Sequence, residues 1–108
     1  MNFKEYTENM KRTAGNLELT NENLCWSAMG ISGEAGEVTD YLKKVVFHCH
    51  ELNKEKLAEE LGDVLWYLAS TAEIIGYSLE EIAEMNIEKL KKRYPEGWDV
   101  ERSINRDR

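Results

Sequence analysis

The chain has 108 residues, enough for one packed domain at the small end of the range, with 42% hydrophobic and 32% charged residues. A net charge of −7 excludes a general binder of nucleic acid or of anionic membrane, both of which need a basic face. No apolar run reaches the roughly 20 residues of a membrane span, and the opening Met1-Asn2-Phe3-Lys4-Glu5 lacks a signal-peptide core. Cys25 and Cys49 read as reduced thiols, so the expected location is the cytoplasm. One proline and 7 glycines leave little room for a turn-dense β fold and favour helices.

Phe3, Tyr6 and Met10 recur at helical spacing, predicting a first amphipathic helix from Asn2 to about Ala14, ended by Gly15. After a polar connector, Thr20 or Asn21 caps a second helix with the stripe Leu24, Ala28, Ile31, Ala35, Val38, Leu42 and Val45, running to Phe47. His48 to Leu52 is the turn, and Asn53 caps a third helix. Its stripe is Leu57, Leu61, Val64, Leu68, Ala72 and Ile75, and Gly76 stops it. Ser78 with Glu81 forms a capping box opening a fourth helix through Leu79, Ile82, Met85 (or Asn86) and Leu90, which Pro95 and Gly97 end. The expected architecture is all-α: a four-helix, bundle-like subunit in one domain, residues 1–108, with its core at about 21–98 and a polar tail over 99–108.

The second and third helices carry two copies of one acidic pattern, Gly33-Glu34-Ala35-Gly36-Glu37-Val38 and Glu59-Glu60-Leu61-Gly62-Asp63-Val64. Carboxylates three residues apart are neighbours on one helix face. With Ile31 at zero on a wheel of 100° per residue, Glu34 and Glu37 fall at about 300° and about 240°; with Leu57 at zero, Glu60 and Asp63 take the same angles. An antiparallel hairpin related by an approximate twofold axis sets equivalent flanks on the same side, so all four carboxylates line one groove at one level. Gly36 and Gly62 lie on other faces, where a missing side chain admits neighbouring backbone.

Four carboxylates in such a groove repel one another and lose solvation unless a positive charge sits among them. Lys43 and Lys44 supply part of that charge, and a divalent cation supplies it better. The donors are all oxygen, which favours Mg²⁺ or Mn²⁺ over zinc. Acidic pairs at this spacing also occur on solvated helix faces, and Glu80-Glu81-Glu84 is read as one of those. The duplication, the shared angle and the common level set Glu34, Glu37, Glu60 and Asp63 apart. His48-Cys49-His50 with Cys25 is a poor zinc set, because adjacent ligands in a turn cannot easily reach tetrahedral geometry.

These residues resemble the MazG-like family of all-α nucleoside triphosphate pyrophosphohydrolases, whose mark is a Glu-x-x-Glu helix followed by a Glu-x-x-Asp helix. The stretches GISGEAGEV and KLAEELGDVLWYLA look like members of it, and NIEKLKKRYPEGW looks like its closing segment. Gly33 stands where many relatives begin the first motif with a second glutamate; by the wheel that position points away from the groove. The resemblance implies hydrolysis of a nucleoside triphosphate to monophosphate and pyrophosphate. Glu34, Glu37, Glu60 and Asp63 would hold Mg²⁺ (or Mn²⁺) against the triphosphate, with Glu37 and Glu60 in the catalytic roles and Glu37 orienting the water. It also implies a homodimer or homotetramer whose neighbouring subunits close the site.

Asn86, Lys89, Arg93 and Tyr94 are the substrate-binding candidates that the closing segment offers, with Lys44 beside them. Lysine and arginine suit phosphate oxygens, while basic residues there also complement a helix C-terminus. Trp66 is expected on the exposed side of the third helix, as an interface aromatic or a base-stacking platform. Tyr41 and Tyr67 share the carboxylate flank, as hydrogen-bond partners or as groove wall. The rival to an enzyme is a non-catalytic helical module that binds a nucleotide or a partner protein through the same groove.

Overall fold

The computed structural model describes residues 1–106; the last two residues of the predicted tail lie outside them. Four helices of substantial length follow in order, α1 (Phe3–Ala14), α2 (Asn21–Phe47), α3 (Lys54–Ile75) and α4 (Leu79–Arg93), and a short α5 (Val100–Ile104) closes the described chain. Among the described residues there is no strand, and the architecture is all-α. Among the described residues no helix is long and apolar enough to cross a membrane.

Local chemistry sets the boundaries. Each helix starts behind a residue whose side-chain oxygen accepts from the amides of the first turn: Asn2, Thr20, Asn53, Ser78 and Asp99. Ser78 and Glu81 close the reciprocal capping box, with both hydrogen bonds at 3.0 Å. Gly76 ends α3 at φ 80°, a left-handed conformation that costs glycine little. The segment expected as an unassigned polar tail forms α5 because Asp99 Oδ1 accepts from the amides of Glu101 (2.8 Å) and Arg102 (3.3 Å).

The α2–α3 antiparallel hairpin is the spine, and α1 packs on a different side of α3. Two bodies of apolar contact result. One lies along the hairpin, where Ile31, Val38, Leu42, Val45, Leu57 and Val64 are half-buried. The other gathers Met10, Ala69, Ala72 and Leu79, with Tyr6, Ala14, Leu17, Leu65 and Trp66 packed against them. Lys11 Nζ lies 2.7 Å from Glu73 Oε1 and ties α1 to α3 at the surface.

Because α3 is covered from two directions, a single stripe does not describe it. Leu61, Leu68 and Ile75, expected in the core, remain exposed, as does Leu24 on α2. Trp66, expected on the exposed side, is half-buried and meets Trp26 and Tyr67 edge-on, with ring centroids 5.9 and 5.0 Å apart. Gly36 and Gly62 are not points of close approach: a Cβ at either meets nothing within 4 Å. That role falls to Gly30, where an added Cβ runs into the ring of Tyr67.

The fourth helix joins the rest at its first turn. Leu79 is its one buried residue, and Ile82, Met85, Ile87 and Leu90 face solvent. The radius of gyration of 16.9 Å exceeds the roughly 13 Å of a compact chain of this length.

Candidate active site

Glu34 enters from α2 and Glu60 and Asp63 from α3, three residues apart and so on one face. Each offers a carboxylate oxygen, and these three atoms lie within 4.8 Å of one another. Among the described residues this is the one convergence of three or more potential metal ligands; His48, Cys49, His50 and Cys25 form none. Glu34 and Glu60 are half-buried, and Asp63 is exposed.

The electrostatics are those of an anionic site without a counter-charge. Desolvation first, and then the charges of Asp63, Glu60 and Glu37, raise the Glu34 carboxyl above its ordinary value. Lys43 and Lys44, expected to offset the cluster, are both engaged by Asp40 at 3.2 and 3.1 Å. Their hydrogen bonds hold the Asp40 carboxyl below its ordinary value, Lys44 contributing most. Neither lysine makes an ion pair with the four acidic residues among the described residues.

Glu37 lies one turn along α2 from Glu34, exposed and outside the three-carboxylate convergence, though its charge reaches Glu34. The four acidic residues thus divide into three that converge and one beside them. Hard oxygen donors with a net negative field fit Mg²⁺ or Mn²⁺. A separation of up to 4.8 Å is slightly wider than the about 4.2 Å between opposite ligands of one such ion. Glu34, Glu60 and Asp63 are the residues that would hold such an ion, after small rotamer adjustments.

The tyrosines divide. Tyr41 is buried, and its hydroxyl accepts from the Asn53 amide at 2.8 Å and donates to the Glu51 carbonyl at 3.4 Å. It therefore fixes the connection that sets the hairpin register. Tyr67 is wall, packed on Gly30 and on Trp26 at 5.4 Å. Tyr6, on the amphipathic stripe predicted for α1, lies close enough to the cluster for the charge of Asp63 to act on its hydroxyl. Burial first, and then the Asp63 charge, push its pKa up. A cavity of about 450 Å³ lined by Phe3, Tyr6 and Leu65 adjoins it. Its sequence signal, an aromatic on the α1 stripe, did not distinguish a core position from a site wall.

The expected substrate residues of α4 do not reach the cluster within one chain; α4 meets α1 and α3 near its own start. Asn86 and Lys89 line a shallow cleft with Ile82 and Met85. Lys89 and Arg93 also line a basic cavity at the far end of α4. Tyr94 caps α4, its amide donating to the Leu90 carbonyl at 2.8 Å.

Residues 27–98 match the MazG nucleotide pyrophosphohydrolase domain. The chain is 35% identical over 80 residues to the Gene 37 protein of Mycobacterium phage L5, covering 70% of each. It is 44% identical over 41 residues to the uncharacterized protein YvdC of Bacillus subtilis (strain 168), covering 38% of this chain and 39% of that one. No solved structure gives a significant match. The matched segment contains all four acidic residues, the whole of α3 and α2 from Ser27 onward.

Proposed function

The chain belongs to the MazG nucleotide pyrophosphohydrolase domain family, and from that premise we propose that it hydrolyses (deoxy)nucleoside triphosphates to monophosphate and pyrophosphate with Mg²⁺ or Mn²⁺. The observation that carries this reading is the convergence of Glu34, Glu60 and Asp63 from two helices, inside the segment that matches the family.

In this proposal Glu34, Glu60 and Asp63 hold the cation, and Glu37 completes the acidic set. A bound divalent cation supplies charge neutralisation on the phosphate oxygens and on the leaving pyrophosphate. Glu37, adjacent but outside the convergence, orients the attacking water and accepts its proton, with Glu60 as the other catalytic carboxylate. The water's oxygen forms the new bond to phosphorus, and the bridging P–O bond to the leaving pyrophosphate breaks. The apolar cavity at Phe3, Tyr6 and Leu65 seats the base, its rings offering stacking surface next to Asp63.

The functional unit in this proposal is a homodimer or homotetramer of one domain, residues 1–108, working on a nucleotide pool in the cytoplasm. Its support is the exposure of Ile82, Met85, Ile87 and Leu90 on α4 and of Leu61 and Leu68 on the hairpin, apolar side chains that a second copy would cover. A neighbouring copy would also bring Lys89, Arg93, Asn86 and Tyr94 toward the groove, with Lys44 at its edge.

The test is a nucleotide screen with Mg²⁺, the products separated by chromatography. Monophosphate and pyrophosphate in equal amounts, lost in EDTA, are the expected result. A folded protein that turns over no nucleotide with Mg²⁺ or Mn²⁺ overturns the reading in favour of a binding module.

A further inference from the structure

Tyr41 is buried in the hairpin, 8% exposed, yet its hydroxyl is engaged outside the helices, on the connection between them. It accepts from the Asn53 amide at 2.8 Å and donates to the Glu51 carbonyl at 3.4 Å. Its ring lies beneath the Lys56 ammonium, 5.0 Å from Nζ to the centroid and within reach of a cation–π contact. Asn53 is the cap of α3: its side chain accepts from the Lys56 amide at 3.1 Å, and its carbonyl accepts from the Leu57 amide at 3.1 Å. One side chain of α2 thus holds α3 by the residue that starts it.

The other end of the connection is closed by α2 itself. The amides of His48 and His50 donate to the Lys44 carbonyl at 3.0 and 3.1 Å, around Cys49 at φ 59°. A left-handed residue just past a helix end turns the chain away from the axis, and a residue other than glycine adopts it only where its surroundings hold it there. With this exit fixed, what stays adjustable is how far along α2 the start of α3 stands. The bond between Tyr41 and Asn53 acts on that distance.

The place of this bond relates it to the acidic residues. Glu34 lies seven residues before Tyr41 on α2, and Glu60 lies seven residues after Asn53 on α3. In antiparallel helices two equal steps end opposite each other, here about 10.5 Å from the bond at about 1.5 Å per residue. Seven residues are also nearly two full turns, so Tyr41 and Glu34 share one flank of α2. Setting Tyr41 against Asn53 therefore sets Glu34 against Glu60. A slip of one residue moves a carboxylate by about 1.5 Å along the axis and turns it by about 100°. That opens a set whose oxygens already stand up to 4.8 Å apart.

We propose that Tyr41 is a positioning residue of the acidic site. Its bond to the Asn53 amide fixes the level at which Glu34 meets Glu60 and Asp63 and with it, on the reading of that site as a metal site, the affinity for a divalent cation. Tyr41 touches neither ion nor substrate and acts through the backbone of the connection.

The experiment titrates Mn²⁺ into the full chain well below its melting temperature, following the free ion by electron paramagnetic resonance, with thermal melts of the same samples. Y41F keeps the ring against Lys56 and loses both hydrogen bonds. It binds Mn²⁺ about tenfold more weakly than the parent, the low end of what losing a group that orients metal ligands costs. S78A removes the capping box at the start of α4, outside the hairpin, and leaves Mn²⁺ affinity within about twofold. A loss of stability alone does not change the affinity of a chain that stays almost wholly folded. The same division appears as a smaller Mn²⁺-induced rise in Tm for Y41F than for S78A, a readout that holds even where Y41F is marginally folded. Affinity of Y41F within about twofold of the parent, or equal losses in Y41F and S78A, overturns the positioning role. A parent that binds no Mn²⁺, or an E60Q variant that binds it as the parent does, overturns instead the metal reading on which that role rests.

Discussion

Glu34 on α2 and Asp63 on α3 carry carboxylate oxygens within 4.8 Å of each other, and the Asp63 charge helps raise the Glu34 carboxyl above its ordinary value. Two like charges brought together by the hairpin weaken it until a cation joins them. In the proposed function the chemistry and the hairpin's stability depend on the same residues, so each can be used to probe the other.

Removing a converging carboxylate should abolish most turnover. E60Q and D63N each lower kcat by about two to three orders of magnitude, the usual cost of losing one group that stabilises developing charge. E37Q lowers kcat comparably but leaves Mg²⁺ affinity nearly unchanged, because Glu37 lies outside the convergence. Steady-state kinetics with metal titrations checks both, and equal metal affinities across the three variants contradict the division of roles.

The pH dependence of stability has a definite sign. A carboxyl with a raised folded pKa contributes stability that is fully present below its unfolded value, near 4.5 for Glu34, and lost as pH rises through the higher folded value. In EDTA, E34Q should melt with the parent at about pH 4 and progressively above it as pH approaches 7. Mg²⁺ should reverse the order by raising the parent's Tm more than the variant's. Melting curves across this pH range, with and without metal, are the measurement.

Glycine substitutions distinguish close packing from helix propensity. G30A places a Cβ in the Tyr67 ring and should destabilise by about 1–3 kcal/mol, lowering Tm by about 4–8 °C per kcal/mol. G36A meets nothing within 4 Å and should stabilise the metal-free chain by about 0.5–1 kcal/mol. Thermal melts in EDTA that move both variants the same way would remove the distinction.

Tyr6 tests the base seat of the proposed function. Y6A should raise KM about tenfold or more, in line with the about 1–3 kcal/mol of base–aromatic stacking, while Y6F changes KM little. Initial-rate measurements on the best substrate of the screen decide it, and unchanged KM in Y6A places the base elsewhere.

Much of this molecule was legible in the chain itself. Thr20, Asn53 and Ser78 start their helices where capping chemistry predicts, and Gly76 stops α3, because caps and left-handed turns act within four or five residues. The duplicated acidic spacing likewise implied that carboxylates of α2 and α3 share a side, since an antiparallel hairpin with a short turn allows little else. What depended on residues distant in the chain was not legible there. Trp66 lies inside because α1 packs on Leu65, Trp66 and Ala69, a flank of α3 beyond the predicted stripe, sharing only Ala72 with it. Gly30, rather than Gly36 or Gly62, marks the close crossing because the ring of Tyr67 lies over it. Glu37 stands apart from the convergence, and Arg102 joins Lys89 and Arg93 around one cavity, through the packing of whole elements. Helix propensity and capping are local energies that a sequence displays directly, whereas which faces meet is decided by the burial the assembled helices achieve together.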